Sequence, residues 1–146
     1  MTAPQRPPSS LWDRWLVAVV AAVAGYGAVL VAYGDAPAAL FDRLGFGMTP
    51  AGITAGPARD HVLLVYGVLG AVLIGWTLLL LTVVRGPLRH RRPWAWSAVA
   101  LSTAGWFAAD TAFSLAVGAN AHAAFNLIFA VGFAVPLAAL RRRLVP

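Results

Sequence analysis

Residues 94–140 read WAWSAVALSTAGWFAADTAFSLAVGANAHAAFNLIFAVGFAVPLAAL, a stretch in which Asp110 is the only formally charged side chain. At about 1.5 Å of rise per residue, 94–117 and 121–140 are each long enough to cross the roughly 30 Å hydrocarbon core of a bilayer. The link between them, 118–120, is so short that the two helices must run antiparallel and side by side. Pro136 removes one backbone hydrogen bond from the second and is a place for a kink. Arg141, Arg142 and Arg143 end the segment.

Toward the N-terminus the same logic finds two more spans. Residues 62–84 carry no charge and are followed by Arg85, Arg89, His90, Arg91 and Arg92, punctuated by Pro87 and Pro93. Residues 15–34 are also uncharged. A cleavable signal peptide is the competing reading of this first run, but its apolar region is usually about 7–15 residues, shorter than this one. The expected fold is all-α, an integral membrane four-helix bundle with helices about 12–34, 61–84, 94–117 and 121–140 in a domain covering 11–146. Residues 1–10, with Pro4, Pro7, Pro8, Ser9 and Ser10, form a tail too polar to bury and expected to be disordered. The 35–60 connection holds Asp35, Asp42, Arg43, Arg59 and Asp60 and lies outside the membrane. Within it, 38–46 sets Leu40, Phe41, Leu44 and Phe46 beside Asp42 and Arg43, which suits a short interfacial helix or a loop packing its aromatics on the helix tops.

Composition agrees with that reading. Of the 146 residues 60% are apolar and 11% charged, against about a quarter charged in a water-soluble domain. There is no cysteine, so disulfides, thiolate catalysis, iron–sulfur ligation and Cys-based zinc sites are excluded. The net charge of +6 does not indicate nucleic acid, because the arginines sit at the ends of apolar runs and not along one soluble face. The lipid bilayer is the expected partner. No internal repeat is visible, which argues against a complete inverted-repeat transporter.

Orientation follows from the arginines. Arg6 and Arg14, the four of the 85–93 loop and the three at the C-terminus make nine, against Arg43 and Arg59 on the other side. The positive-inside rule then places the N-terminus, the C-terminus and the 85–93 loop in the cytoplasm, with 35–60 and 118–120 outside. Trp12, Trp15, Trp94 and Trp96 fall at the cytoplasmic interface, where amphipathic rings favour the headgroup layer. Gly67, Ala71 and Gly75 recur every four residues and predict a ridge on which another helix packs closely.

Asp110 is the first functional candidate, since a carboxylate within an apolar span must face the bundle interior, pair or take a proton. Sixteen residues past Trp94, it lies roughly 24 Å up its helix, in the outer part of the bilayer. Trp106 and Ser114 are one turn either side, so the three share a face. The tight turn brings His122 and Asn126 of the last helix toward them. The second span adds Arg59, Asp60 and His61 at its mouth, with Tyr66 deeper.

Two readings of these residues stay open: an outward-facing polar pocket for a ligand headgroup, a proton or a weakly held metal, or interhelical glue in which each contact gives on the order of 0.6 kcal/mol. A metal site has little support, because one Asp and scattered His show no ligand spacing. Ser114, His122 and Asp110 are the residue types of a hydrolytic triad, but no nucleophile motif or oxyanion hole accompanies them. His90 and its neighbouring arginines read as a solvated, topology-setting loop that attracts anionic lipid.

The run Tyr66-Gly67-Val68-Leu69-Gly70-Ala71-Val72-Leu73-Ile74-Gly75-Trp76, then Arg85-Gly86-Pro87-Leu88-Arg89, Trp94-Ala95-Trp96, Trp106-Phe107, Asp110-Thr111, Ser114 and Asn126, resembles a family of small bacterial four-helix membrane proteins with no established function. The resemblance covers about 61–143. It implies a multi-pass protein of the bacterial inner membrane and carries over no catalytic or binding role. The functional expectation is a non-enzymatic protein, without cofactor, that binds a small or lipidic ligand or a partner helix at the cluster Asp110, Ser114, His122, Asn126, Trp106, Tyr66 and His61. A homo-oligomer or a partner membrane protein fits the same surface. The alternative is a membrane enzyme or proton-coupled transport subunit using an Asp110–His122 pair.

Overall fold

The computed structural model describes residues 10–34, 39–40, 43 and 56–143. All long elements are helices and no strand occurs among the described residues: α1 Leu11–Ala32, α2 Pro57–Val83, α3 Pro93–Ala116 and α4 Asn120–Arg141. The expected disordered tail and most of the expected 38–46 helix lie outside the described residues.

Local sequence explains the ends of the helices. Ser10 caps α1 through a reciprocal pair in which Asp13 N–H donates to Ser10 Oγ (3.2 Å) and Ser10 N–H donates to Asp13 Oδ2 (2.7 Å). Pro57 and Pro93 open α2 and α3 at first-turn positions, where a missing N–H costs nothing. Helix α2 does not stop at the arginines but widens into a π-helical turn, Val84–Leu88, that accommodates Pro87. Gly118, at φ +79°, makes the tight reversal between α3 and α4 that only a residue without a Cβ adopts easily.

Each helix turns one stripe inward at three- and four-residue spacing: Leu16, Val20, Val23, Gly27 and Leu30 of α1, for instance, and Gly70, Leu73, Thr77 and Leu80 of α2. The remaining faces are also apolar and stay exposed, with Leu101 at 74%, Phe113 at 69% and Ile128 at 65%. Helices apolar all round suit a membrane interior or the core of a larger assembly. Three stretches, Leu11–Ala32, Pro57–Leu88 and Asn120–Arg141, are long and apolar enough to cross a membrane. Helix α3 has the length but a lower mean hydropathy, because Ser97, Ser102, Thr103, Asp110 and Thr111 dilute it.

The helices alternate in direction around a ring in which α1 packs on α2 and α4, and α4 on α3. Helices α1 and α2 come closest where Gly27 meets Gly70: a Cβ built on Gly70 would lie 2.5 Å from the Gly27 carbonyl oxygen. Such close backbone contact supplies dispersion energy directly, which is the main attraction left to helices that cross a membrane. This corrects the ridge expected at Gly67, Ala71 and Gly75. Nothing lies within 4 Å of a Cβ built on Gly67 or Gly75, and Ala71 is exposed. The interhelical face is offset from that ridge, on the side where Gly70, Leu73 and Thr77 align, and Gly70 faces Gly27 of α1.

Helices α2 and α3 make few close backbone contacts and are bridged at mid-height by Trp76, whose Nε1–H donates to Ser102 Oγ (2.6 Å). Buried Thr77 and Thr103 donate back to the carbonyls of Leu73 and Val99 (2.8 Å each), so their hydroxyls are satisfied within their own helices. No buried side-chain nitrogen or oxygen among the described residues lacks a partner. The alternation gathers Arg14, Arg85, Arg89, Arg91, Arg92, Arg141, Arg142 and Arg143 at one end of the bundle, with Arg59 at the other.

Candidate functional site

At the end opposite the arginine-rich one, the separation of α2 from α3 leaves a cavity of about 570 Å³. All four helices line it. Its shape comes from an aromatic layer beneath it. Trp76 contacts Trp106 (centroids 6.0 Å apart) and Phe133 (6.3 Å), and Trp106 meets Phe129 edge-on at 6.3 Å. Phe125 and Phe129 stack edge-to-face at 5.3 Å up the α4 wall, and Tyr26 of α1 approaches Phe129 at 6.5 Å. Rings of this size, packed at such angles, fill the middle of the bundle and leave the space above them open.

Polar groups converge on the upper part of that space. Asp110 Oδ1 is 3.3 Å from His122 Nε2, a contact between neighbouring antiparallel helices that the tight 118–120 reversal imposes. The two side chains are 28% and 26% exposed, so the pair lies at the cavity wall and not in a sealed core. Ser114 Oγ donates to the Asp110 carbonyl oxygen (2.8 Å) and lies 3.4 Å from Asp110 Oδ1. Both contacts to the carboxylate thus fall on Oδ1. Asn126 is buried, and its Nδ2 donates to Thr111 Oγ1 at 3.5 Å across the α3–α4 seam.

Of the seven residues expected at the cluster, Asp110, Ser114, His122, Asn126, Trp106 and Tyr66 line this cavity. His61 does not; it is exposed at the fifth residue of α2, one turn nearer the helix start than Val65, which does line the cavity. Tyr26 lines the cavity and escaped the sequence reading, as did Phe125 and Phe129. A signal for Tyr26 existed, since it stands three residues after Val23 and four before Leu30 on the inward stripe of α1. That α1 neighbours α4 at this height is a tertiary fact.

The arrangement limits the chemistry available. No three His, Cys, Asp or Glu side chains come together among the described residues. The Ser114 hydroxyl is engaged with a carbonyl of its own helix, as in a packing serine. What remains is an apolar, aromatic-walled space with one carboxylate and one imidazole at its rim. No protein-family model, curated protein or solved structure matches this chain.

Proposed function

We propose that this chain is a four-span protein of the bacterial inner membrane, with both termini cytoplasmic, that binds a small amphipathic or lipidic molecule in its outward-facing cavity. The observation that carries the proposal is the coincidence of a 570 Å³ aromatic-walled space with the Asp110–His122 pair at its rim. That volume falls within the roughly 300–1,000 Å³ typical of small-molecule sites and is too small to admit a helix. Helix α3 completes the bundle as the fourth span: its one charged side chain turns toward the cavity, which is how an acid is tolerated at membrane depth. The nine-to-two distribution of arginines supports the orientation. The carboxylate oxygens are hydrogen-bond acceptors, so a ligand whose polar end carries a donor, such as a hydroxyl or an amine, complements them.

The Asp110–His122 contact also supports a second reading, in which the pair holds and passes a proton for a transport or enzymatic step. Native mass spectrometry of protein extracted in mild detergent tests both. Binding predicts one retained species, and Ala109→Phe, which pushes a ring into the cavity from its wall, displaces it without unfolding the bundle. Asp110→Asn keeps the shape of the carboxylate and removes its proton chemistry. Loss of the retained species in that variant supports recognition by the carboxylate, whereas retention with loss of the cellular phenotype supports the proton reading. Lipid bound indifferently by wild type and Ala109→Phe refutes the cavity as a binding site.

A further inference from the structure

A second concavity, of about 810 Å³, lies along the α3–α4 seam toward the arginine-rich end, away from the Asp110 cavity. Alanines carve it. Ala100 and Ala104 recur at four-residue spacing on α3, and Ala130, Ala134 and Ala138 do so on α4, so two facing ridges are low over the same length. Phe133 and Leu137, both buried, form its floor. Thr103 also lines it, but its hydroxyl is bonded to the Val99 carbonyl and adds no polarity. The wall is therefore apolar until the groove reaches Arg141 and Arg142.

The Arg141 guanidinium is placed by the fold, and Arg142 follows it at the end of α4. Trp96 is anchored by its Nε1–H donating to the Leu137 carbonyl (2.7 Å), and the Arg141 guanidinium lies 5.1 Å over its ring. A cation stacked this way is held at the groove mouth with its N–H edge available to an anion. From Ala130 to Arg142 the groove runs about 18 Å at the helical rise, close to the roughly 15 Å hydrocarbon depth of one leaflet.

We propose that this groove is a binding site for an anionic phospholipid of the inner leaflet, one acyl chain lying between the alanine ridges and the headgroup phosphate meeting Arg141 and Arg142. The proposal goes beyond the outer cavity and shares with it only the placement of the four helices across the membrane. Charge complementarity selects the occupant: an apolar slot of leaflet depth ending in two cations favours a lipid with a net negative headgroup over a zwitterionic one, whose own cation offsets its phosphate.

The test exchanges the intact protein into micelles containing equal amounts of palmitoyl-oleoyl phosphatidylglycerol and palmitoyl-oleoyl phosphatidylcholine, and counts bound lipids by native mass spectrometry. Phosphatidylglycerol should be preferred roughly thirtyfold, about fivefold for each arginine near an anionic headgroup. Arg141→Gln with Arg142→Gln should abolish the preference. Arg142→Gln alone, which leaves the Arg141–Trp96 stack in place, should reduce it about fivefold. Ala134→Leu, at an exposed position on the groove wall, should lower occupancy by both lipids. Arg91→Gln with Arg92→Gln removes the same charge from the same end and should change little. Equal loss in both arginine pairs would reduce the effect to a diffuse field. That result, no preference in the wild type, or an occupancy indifferent to Ala134→Leu, overturns the proposal.

Discussion

Adding one methyl group to Gly70 tests the way this bundle is held together. A Cβ there would meet the Gly27 carbonyl oxygen at 2.5 Å, Val31 Cγ2 at 2.8 Å and Leu30 Cβ at 2.9 Å. Two of these three atoms belong to the backbone or its first side-chain carbon and cannot rotate away. Restoring ordinary contact requires α1 and α2 to part by nearly 1 Å, and the interface that Leu30 and Leu73 share with them opens too. Gly70→Ala should therefore destabilise the bundle by about 1–3 kcal/mol, the usual range for overpacking. Gly27→Ala, whose nearest contact is the Gly70 carbonyl oxygen at 2.9 Å, should cost less. Gly34→Ala should cost less again, because the atom it meets at 3.1 Å is the movable end of Leu63. Gly67→Ala and Gly75→Ala meet nothing within 4 Å and should be neutral or slightly favourable, alanine being the better helix former. Denaturant titration in mild detergent, followed by circular dichroism, measures the series. Equal losses at Gly70 and Gly75, or a larger loss at Gly75, would mean that the small ridge and not the Gly27–Gly70 crossing holds the helices.

Further outcomes follow from other contacts. Asp110→Asn and His122→Gln should be non-additive in stability, with a coupling of about 0.5–1.5 kcal/mol by double-mutant cycle; strict additivity would mean the 3.3 Å contact contributes nothing. Trp76→Phe keeps a ring but loses the donor to Ser102 and should cost about 1 kcal/mol, an effect that Ser102→Ala in the same background should not enlarge. Reporter fusions after Arg92 and after Arg143 should report the cytoplasm, and one within 47–56 the outside. A cytoplasmic signal from 47–56 would invert the map.

The helices were legible because their signal is local. An uncharged run bounded by arginines or prolines satisfies its own backbone only as a helix, and this holds whatever it packs against. The α3–α4 half of the site was legible for a related reason. A reversal as short as 118–120 leaves the chain almost no freedom, so spacing along α3 and α4 translates directly into the Asp110–His122 contact. Across the longer 35–60 connection no such translation exists. His61 was expected at the cluster on depth alone, and the structure leaves it exposed near the start of α2, outside the cavity lining.

Packing faces were the least legible feature. Gly67, Ala71 and Gly75 make a more regular small-residue ridge than Gly70 does, yet Gly70 is the residue that meets another backbone. In a soluble helix hydrophobicity marks the inward face, but here both faces are apolar and that marker is lost. The sequence by itself determined that the long apolar runs are helices and that α3 pairs with α4, because these depend on local hydrogen bonding and a short connection; it did not show that α2 begins as early as Pro57 or continues into the turn Val84–Leu88. Only the tertiary structure decided which face of α2 meets α1, that Tyr26 and the Phe125–Phe129 stack wall the cavity, and that two alanine ridges align into a groove ending at Arg141. Each of these requires residues on different helices to stand at the same height, and in a lipid solvent only close steric fit sets that register.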